Sequence, residues 1–587
     1  MPRRTNICRG ARREGRPEQA FWALLGCVRL QCKRAFYKFG ICFLSNTLMA
    51  NWGRGVVMQY PAPSLLVFAC IVASLVSCTE HPNHRPPNIV FFLVDDLGWR
   101  DTGSFGSSFY ETPNIDRLAN EGVRFTQAYA ASHVCSPTRA SIMTGKYPAR
   151  LQLTDWLSGR RSYAFERLKS PEFLQQLPLE EITIAEALKQ HGYRTAHIGK
   201  WHLGEDPFGP LQQGFDLQVP RWNKGWPKAG YYAPFELDGL GDEPGQYLTD
   251  RLSDEAEAFI AENKNRPFFL YMSHFAVHDP IHGRPDLNKK YKDKLTLNVK
   301  SDSPAFILEG NPDDATPLSR QQLTSLIQQP SHREYRVLPQ RTVKIKQHQD
   351  NIQFASMIEA MDESLGRILG ALESYGLTDN TIIIFFSDNG GMSGGNFGRA
   401  DRIIGEDELD TAFSTSNLPL RGAKGWLYEG GIRVPMIVKW PSHGKVGATS
   451  DVPVISTDFY PTLLEMAGLP AMPGQAVDGV SLVPAITGKP FDRSPIFWHF
   501  PQYSNHGMQS PGGAVRAGDY KLLEYYENYT VQLFNLREDI GEQNDLSQTE
   551  PVKVDELKAM LHAWRTEVAA QMPLPNPEYE TGNYPNK

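Results

Sequence analysis

Three runs of the chain are apolar at almost every position and stop abruptly at polar clusters. Asn88-Ile89-Val90-Phe91-Phe92-Leu93-Val94 ends at Asp95-Asp96, Thr381-Ile382-Ile383-Ile384-Phe385-Phe386-Ser387 ends at Asp388-Asn389-Gly390-Gly391, and Phe268-Phe269-Leu270-Tyr271-Met272 runs into Ser273-His274-Phe275-Ala276-Val277-His278-Asp279-Pro280. A strand buried on both faces has no need to alternate, so such runs predict central strands of a parallel α/β sheet. A fourth strand, Tyr193–Ile198, follows a helical pattern over Ile182–His191 with its Gly192 stop, and leads into Gly199-Lys200-Trp201-His202-Leu203-Gly204. Val434–Trp440 reads as another strand. Asn351–Tyr375 repeats apolar residues at helical spacing (Phe354, Met357, Ile358, Met361, Leu365, Ile368, Leu369, Leu372), which predicts a helix packed on the sheet.

Beyond Pro461-Thr462-Leu463-Leu464-Glu465 the pattern changes. Pro495–Phe500, Gly513–Arg516, Tyr520–Tyr525 and Val531–Asn535 predict short antiparallel strands, and Pro551–Gln571 a closing helix. The expected organisation is a catalytic α/β domain over 86–490 and a small α+β subdomain over 491–575. Residues 285–347 are polar and rich in Lys, Gln and Pro without a clear period; they read as an insertion or lid, with a solvated loop as the plainer alternative. Residues 392–419 read as a further irregular loop. No internal repeat is visible.

In open parallel sheets ligands gather at the carboxyl ends of the strands, which places Asp95, Asp96, Lys200, His202, His278, Asp388 and Asn389 on one rim. Carboxylate and amide oxygens there suit a hard cation, Ca²⁺ or Mg²⁺. One acidic strand end alone is ordinarily a turn or a cap; two matching ends, together with the cysteine motif at 135, shift the balance toward a metal. His197 and His274 lie within strands and read as structural.

The 587 residues, 41% hydrophobic and 21% charged, exclude a fibre or wholesale disorder and allow one large and one small domain. The N-terminus stands apart. Residues 64–77 are almost uniformly apolar but shorter than the roughly 20 residues of a membrane span, as in a signal peptide. Leu75-Val76-Ser77-Cys78 resembles a bacterial lipobox, which implies export to the periplasm or cell surface with a lipid on Cys78; ordinary signal cleavage is the alternative. Residues 1–48, with ten Lys or Arg against two acidic residues, fit as an upstream extension ahead of a signal over 49–78. Residues 1–77 carry 11 Lys or Arg and 2 acidic residues; without them 49 basic face 64 acidic residues, a formal charge of −15. Such a chain does not attract nucleic acid, and any anion must be recognised locally.

Six of the seven Cys lie within the first 78 residues. The seventh, Cys135, opens Cys135-Ser136-Pro137-Thr138-Arg139-Ala140-Ser141-Ile142-Met143-Thr144-Gly145, where Pro137 suits a helical first turn whose backbone donors can meet an anion. Cys-x-Pro-x-Arg followed by Thr-Gly resembles the signature of the formylglycine-dependent type I sulfatases, arylsulfatase-like members of the alkaline phosphatase-like superfamily. Leu420-Arg421-Gly422-Ala423-Lys424-Gly425-Trp426-Leu427-Tyr428-Glu429-Gly430-Gly431-Ile432-Arg433-Val434-Pro435 resembles a second pattern of that family, and the likeness runs collinearly over roughly 87–550.

The resemblance implies an alkaline phosphatase-like fold: a large, mixed, mostly parallel sheet flanked by helices, plus a small C-terminal antiparallel sheet with a helix. It implies a sulfuric ester hydrolase in which a formylglycine-generating maturation enzyme converts Cys135 to formylglycine (3-oxoalanine), whose hydrate attacks sulfur. By the same likeness Arg139, Lys200 and His202 surround that residue, and His278 and Lys424 contact the sulfate and assist the leaving alcohol. Asp95, Asp96, Asp388 and Asn389, with the residue at Cys135, hold one Ca²⁺. An exported enzyme points to a sulfated sugar as substrate. The alternatives are a phosphoester or phosphonate hydrolase on the same scaffold and an unmatured, noncatalytic glycan-binding protein. Pocket walls are expected from Thr154–Arg161, Asp206–Trp226, 285–347 and 392–419, with Trp156, Arg160, Arg161, Trp222 and Trp226 as candidate sugar contacts.

Overall fold

The computed structural model describes residues 85–160, 162–241, 243–297, 303–397, 401–506 and 509–580. The expectations for residues 1–48, for 49–78 with Cys78, and for Arg161 lie outside the described residues. Among the described residues the main sheet has nine strands: β1 (Asn88–Val94), β2 (Val123–Tyr129), β3 (Arg194–Gly199), β4 (Leu217–Val219), β5 (Phe268–Ser273), β6 (Thr381–Ser387), β7 (Arg433–Lys439), β8 (Ala448–Ser450) and β9 (Val454–Ile455). Their order is β8-β2-β7-β6-β1-β5-β3-β4, with β9 also on β2. Only β7 runs against its neighbours, β2 and β6; the other pairings are parallel.

The apolar runs follow from burial on both faces. All seven residues of β1 are buried. Ile89, Phe91 and Leu93 pack with the helices Cys135–Thr144, Ile184–Gln190 and Phe459–Met466. Val90, Phe92 and Val94 pack on the opposite face with Pro113–Glu121, Leu248–Asn263 and Ile352–Ser374. Each such side chain contributes roughly 1.5–3 kcal/mol when fully buried. The long helix begins where expected because the Asn351 side chain accepts the Phe354 N–H. The helix expected from Ile182 begins at Ile184 instead, because Thr183 and Glu186 cap one another: Thr183 Oγ1 accepts Glu186 N–H at 3.1 Å and Glu186 Oε2 accepts Thr183 N–H at 2.8 Å.

Residues 285–347 differ from the expected irregular segment. They form the helices Pro285–Leu297 and Arg320–Leu326 and a two-stranded ladder of Phe306–Glu309 with Val343–Lys346. Polar composition concealed the first helix because only Leu287 and Tyr291 along it are buried. Ion pairs hold it on the long helix instead, Lys290 Nζ lying 2.7 Å from Glu359.

The strands Ile496–Phe500, Gly512–Ala517, Tyr520–Tyr525 and Val531–Asn535 form an antiparallel sheet in that order. The helix Pro551–Glu567 covers it through Leu557, Leu561 and Trp564, the last stacked on Phe497 at 4.9 Å. The same core takes in Trp426, Tyr428 and Ile432 from the segment ahead of β7. A fully buried charge network joins these pieces: Lys521 Nζ is 2.9 Å from both Glu429 Oε1 and Glu542 Oε1, Glu542 Oε2 accepts Glu429 N–H at 2.7 Å, and Tyr129 OH donates to Glu429 Oε2 at 2.8 Å. Burial and the neighbouring Glu429 push the Glu542 carboxyl up to about 7 despite Lys521. Lys521→Ala is expected to destabilise the protein by about 3–5 kcal/mol, because it leaves two buried carboxylates without their shared cation. A drop in thermal midpoint no larger than that of an exposed Lys→Ala control contradicts the role given to this network.

Candidate active site

The topology explains why chemistry collects at one edge. Strands β6, β1, β5 and β3 are adjacent and parallel, so Asp388 and Asn389, Asp95 and Asp96, His278, and Lys200 and His202 leave the sheet on the same side. Parallel β2 delivers the loop to Cys135 there. Antiparallel β7 starts at that edge, so the segment before it brings Lys424 to the same place.

Asp95, Asp96 and Asp388 are buried at 0–2% exposure, and each meets a cation from a different element. Lys200 Nζ lies 2.6 Å from Asp95 Oδ2, and Lys424 Nζ lies 2.7 Å from both Asp96 oxygens. Arg139 donates through Nε to Asp388 Oδ2 at 2.8 Å and through Nη1 to the Lys200 carbonyl at 2.9 Å and Ser273 Oγ at 2.7 Å. Burial works against charge on Asp96, but Lys424, His278 and Lys200 hold its carboxyl well below the usual range. Asp388 is likewise lowered, burial being outweighed by Arg139 and Lys200. Asp95 goes the other way, raised well above the ordinary value by burial and by Asp388.

Two buried oxygens in this cluster, Asp95 Oδ1 and Asn389 Oδ1, receive no hydrogen bond. The Asn389 amide is oriented by donation from Nδ2 to Asp96 Oδ1 at 2.8 Å. One ligand atom each from Asp95, Cys135 and Asp388 lies within 4.8 Å of the others. Converging carboxylates plus orphaned oxygens are the donor set of a hard divalent cation, so the residues fit one.

Cys135 is the first residue of the buried helix Cys135–Thr144, whose N-cap, Val134, offers no side-chain cap. Its Sγ lies 3.2 Å from His202 Nδ1. His202 Nε2 is 2.6 Å from the Leu157 carbonyl, so Nε2 carries the proton and Nδ1 presents a lone pair to position 135. Burial and Lys200 drive the His202 pKa well below its ordinary value, which keeps that ring neutral. His278 behaves oppositely. Its Nδ1 lies 2.6 Å from Asp279 Oδ1 and its Nε2 3.7 Å from Asp96 Oδ2; burial and Lys424 oppose its charge, but Asp279, Asp96 and Asp95 raise it to about 9. The rim thus holds one neutral acceptor and one protonated donor.

Above it opens a cleft of about 430 Å³ lined by Val134, Cys135, Trp156, His202, Gly225, Trp226, His278, Asp279, Pro280, Asn396, Lys424, Asn505 and His506. All ten residues expected at the site therefore converge on the cleft floor or in the charge cluster beneath it. His197 and His274 are buried supports: His197 Nε2 lies 3.2 Å from the Lys200 carbonyl and His274 Nε2 3.0 Å from Ser364 Oγ. Several expected wall residues lie elsewhere. Arg160 is 2.6 Å from Glu166 in a separate cavity, Trp222 donates to the Trp226 carbonyl, and none of the described residues of 285–347 lines the cleft; Glu309 instead pairs with Arg421 at 2.7 Å. Gly225 and Asn396 fall within the expected wall segments Asp206–Trp226 and 392–419, whereas sequence reading missed Asp279, Asn505 and His506. The last two belong to a polar run, Ser504-Asn505-His506, inside a subdomain read as scaffold.

Two glycines set the packing. A Cβ on Gly390 would lie 2.0 Å from the Gly430 carbonyl, so only glycine lets the Asp388 loop touch the turn after Lys424. A Cβ on Gly225 would lie 2.5–2.8 Å from the His202 ring.

A nine-stranded, mostly parallel sheet with one antiparallel strand, a charged rim at its carboxyl edge and a small antiparallel subdomain define the class: an α/β protein of the alkaline phosphatase-like superfamily. The sulfatase family model matches residues 87–469, and the model for the N-sulphoglucosamine sulphohydrolase C-terminal region matches 423–571. The chain belongs to the sulfatase family and is a sulfuric ester hydrolase. It is 29% identical to a sulfatase of Formosa agariphila, over 83% of this chain and 89% of that one. It is 31% identical to the N-acetylgalactosamine-6-sulfatase of Mus musculus, over 71% and 69%. The structure of Ps i-CgsB in complex with k-i-k-neocarrahexaose matches with a TM-score of 0.61 at 27% identity, covering 86% of this chain and 97% of that one.

Gly225→Ala is expected to displace the His202 ring and lower kcat on an aryl sulfate by about 10²-fold, the size of effect an ångström of misplacement can have. Unchanged kcat in a variant that melts like the parent contradicts this packing argument.

Proposed function

We propose that this enzyme removes sulfate from a sulfated carbohydrate, using formylglycine made from Cys135 by a maturation enzyme and one Ca²⁺ held by Asp95, Asp96, Asp388 and Asn389. The observation that carries the reading is the convergence of Cys135, three buried carboxylates, two orphaned oxygens and three cations at the floor of one cleft. The sugar substrate is supported by relatives named for amino-sugar sulfates and by a neighbour solved with a carrahexaose. The apolar run 64–77 and Leu75–Cys78 support export and a lipid tether.

Formylglycine supplies a hydrated aldehyde hydroxyl as the nucleophile, and the cation polarises the sulfate and offsets its charge. The chain's own residues do the rest. Arg139 and Lys200 fix the carboxylates beneath position 135. Lys424, reaching the cleft floor, neutralises sulfate oxygens as charge builds on them. His278, held protonated by Asp279 and Asp96, gives its proton to the departing alcohol oxygen. His202, neutral and with Nδ1 facing position 135, accepts the proton from the hydroxyl there so that sulfate is expelled.

Mass spectrometry of the Cys135 peptide from protein made in a maturation-competent host is expected to find an aldehyde in place of the thiol; an unmodified thiol in fully active protein overturns the reading. Matured enzyme is expected to turn over members of a panel of defined sulfated mono- and oligosaccharides and to spare the matched phosphate esters. Cys135→Ser is expected to abolish multiple turnover.

Removal of the cation with a calcium chelator is expected to abolish activity and to lower the thermal midpoint, with Ca²⁺ restoring both. At a hundredfold excess over Kd the bound ion is worth about 2.7 kcal/mol of stability. Full activity in chelator, with no metal detected by elemental analysis, contradicts the metal assignment.

A further inference from the structure

The cleft wall holds one side chain whose chemistry the hydrolytic machinery does not use. His506 is only 6% exposed and lines the cleft, and both of its ring nitrogens are shielded from solvent with no hydrogen-bond partner among the described residues. A buried imidazole without partners is a costly arrangement, and it points to a ligand that completes it.

The backbone fixes the ring firmly. His506 N–H donates to Ser504 Oγ at 3.1 Å, Ser504 Oγ donates to the His506 carbonyl at 2.9 Å, and residue 506 bridges to Asn396 in antiparallel fashion. Its Cβ packs on Gly425, where an added Cβ would come within 2.5 Å, so His506 stands beside the residue that follows Lys424. Asn396 in turn donates through Nδ2 to Asp279 Oδ2 at 3.3 Å, linking this wall to the residue that holds His278. Trp156, which also lines the cleft, has its Nε1 buried without an acceptor among the described residues. Trp226, 42% exposed, offers an apolar ring face at the rim.

The charge on this wall is equally informative. Lys424 and His278 are engaged with Asp96 and Asp279 at the floor, and the other described lining residues bring no further cation. Burial and Lys424 pull His506 down to about 3, so the ring is neutral and offers one donor and one acceptor. A sugar hydroxyl offers the same pair. Lys424 and His278 are already paired at the floor, and Arg402 donates to the Asn396 carbonyl at 3.1 Å.

We propose that His506 is a specificity-determining residue that hydrogen-bonds a free hydroxyl on the ring bearing the scissile sulfate. The proposal rests on the reading of the enzyme as a carbohydrate sulfatase. A site built to pair with a hydroxyl discriminates strongly against an analogue lacking it, because its own polar groups are then left bare.

The test uses matured full-length enzyme, the monosulfated hexose or N-acetylhexosamine that the sugar panel shows to be turned over fastest, its monodeoxy derivatives, and p-nitrophenyl sulfate. His506→Ala is expected to lower the ratio of kcat/KM for the sugar over that for the aryl sulfate at least tenfold. One monodeoxy derivative should lose a similar factor with the parent enzyme and lose little more with His506→Ala, while His506→Gln, which keeps a donor and an acceptor, recovers part of the ratio. An unchanged ratio, or a deoxy effect that simply multiplies with the mutation, overturns the proposal. Should His506→Ala fail to fold, the deoxy series on the parent and on His506→Gln decides: no derivative losing tenfold overturns it. Turnover of aryl sulfate with no sugar cleaved removes the carbohydrate reading and this inference together. A cleaved sugar with an unchanged ratio removes only the role of His506.

Discussion

Three carboxylates buried side by side are the constraint around which this protein is built. Removing even one charged group from water costs several kcal/mol unless partners compensate, and Asp95, Asp96 and Asp388 are all at 0–2% exposure. The compensation comes from three directions: Lys200 from the end of β3, Arg139 from the helix begun by Cys135, and Lys424 from the segment before β7. Moving any of these elements leaves a carboxylate unanswered, so the positions of the strand ends, the helix and the loop are set by charge as much as by packing. The balance is still incomplete, as the raised Asp95 and the two bare oxygens record. The cation and anionic substrate proposed above would answer that imbalance.

Floor and wall of the cleft answer to different demands. The floor is made by strand ends and the Cys135 helix, rigid elements tied by short charge-assisted contacts. The wall comes from loops around Trp156, Gly225 and Asn396 and from Asn505 and His506 of the C-terminal subdomain. A relative can therefore keep the sulfate-handling floor while changing what surrounds the sugar. This division accords with family members at about 30% identity that are named for different substrates.

The floor was legible in the sequence because both of its signals are local. An apolar run with no alternation marks a central strand, and the polar residues after it must then lie at the strand's end; Asp95, Asp96, Asp388 and Asn389 follow from that alone. Lys424 and Cys135 needed motif resemblance, since a lysine between glycines or a lone thiol carries no position in itself. The wall was legible only as segments: Trp156, Gly225, Trp226 and Asn396 fall within runs expected to line it, whereas Asn505 and His506 do not. His506 lies more than 370 residues beyond Cys135, and nothing in Ser504-Asn505-His506 announces that a bridge to Asn396 will set its ring beside Gly425. Residues 285–347 misled for another reason: their helices are held by ion pairs such as Lys290 with Glu359, which leave little apolar period to read.

The antiparallel β7 has a consequence for how the molecule comes into being. Asp95 finds Lys200 after 105 residues of chain, but Asp96 waits 328 residues for Lys424, and Glu429 needs a further 92 to reach Lys521. Contacts so distant in sequence form late, because the chain between them must first be ordered. Asp95 and Asp96 precede Lys424 by more than 300 residues, whereas Asp388 precedes it by only 36, and the subdomain carrying His506 follows later still. The sheet's early strands can pair while the cleft remains open on that side, and selectivity for the substrate arrives with the final fifth of the chain.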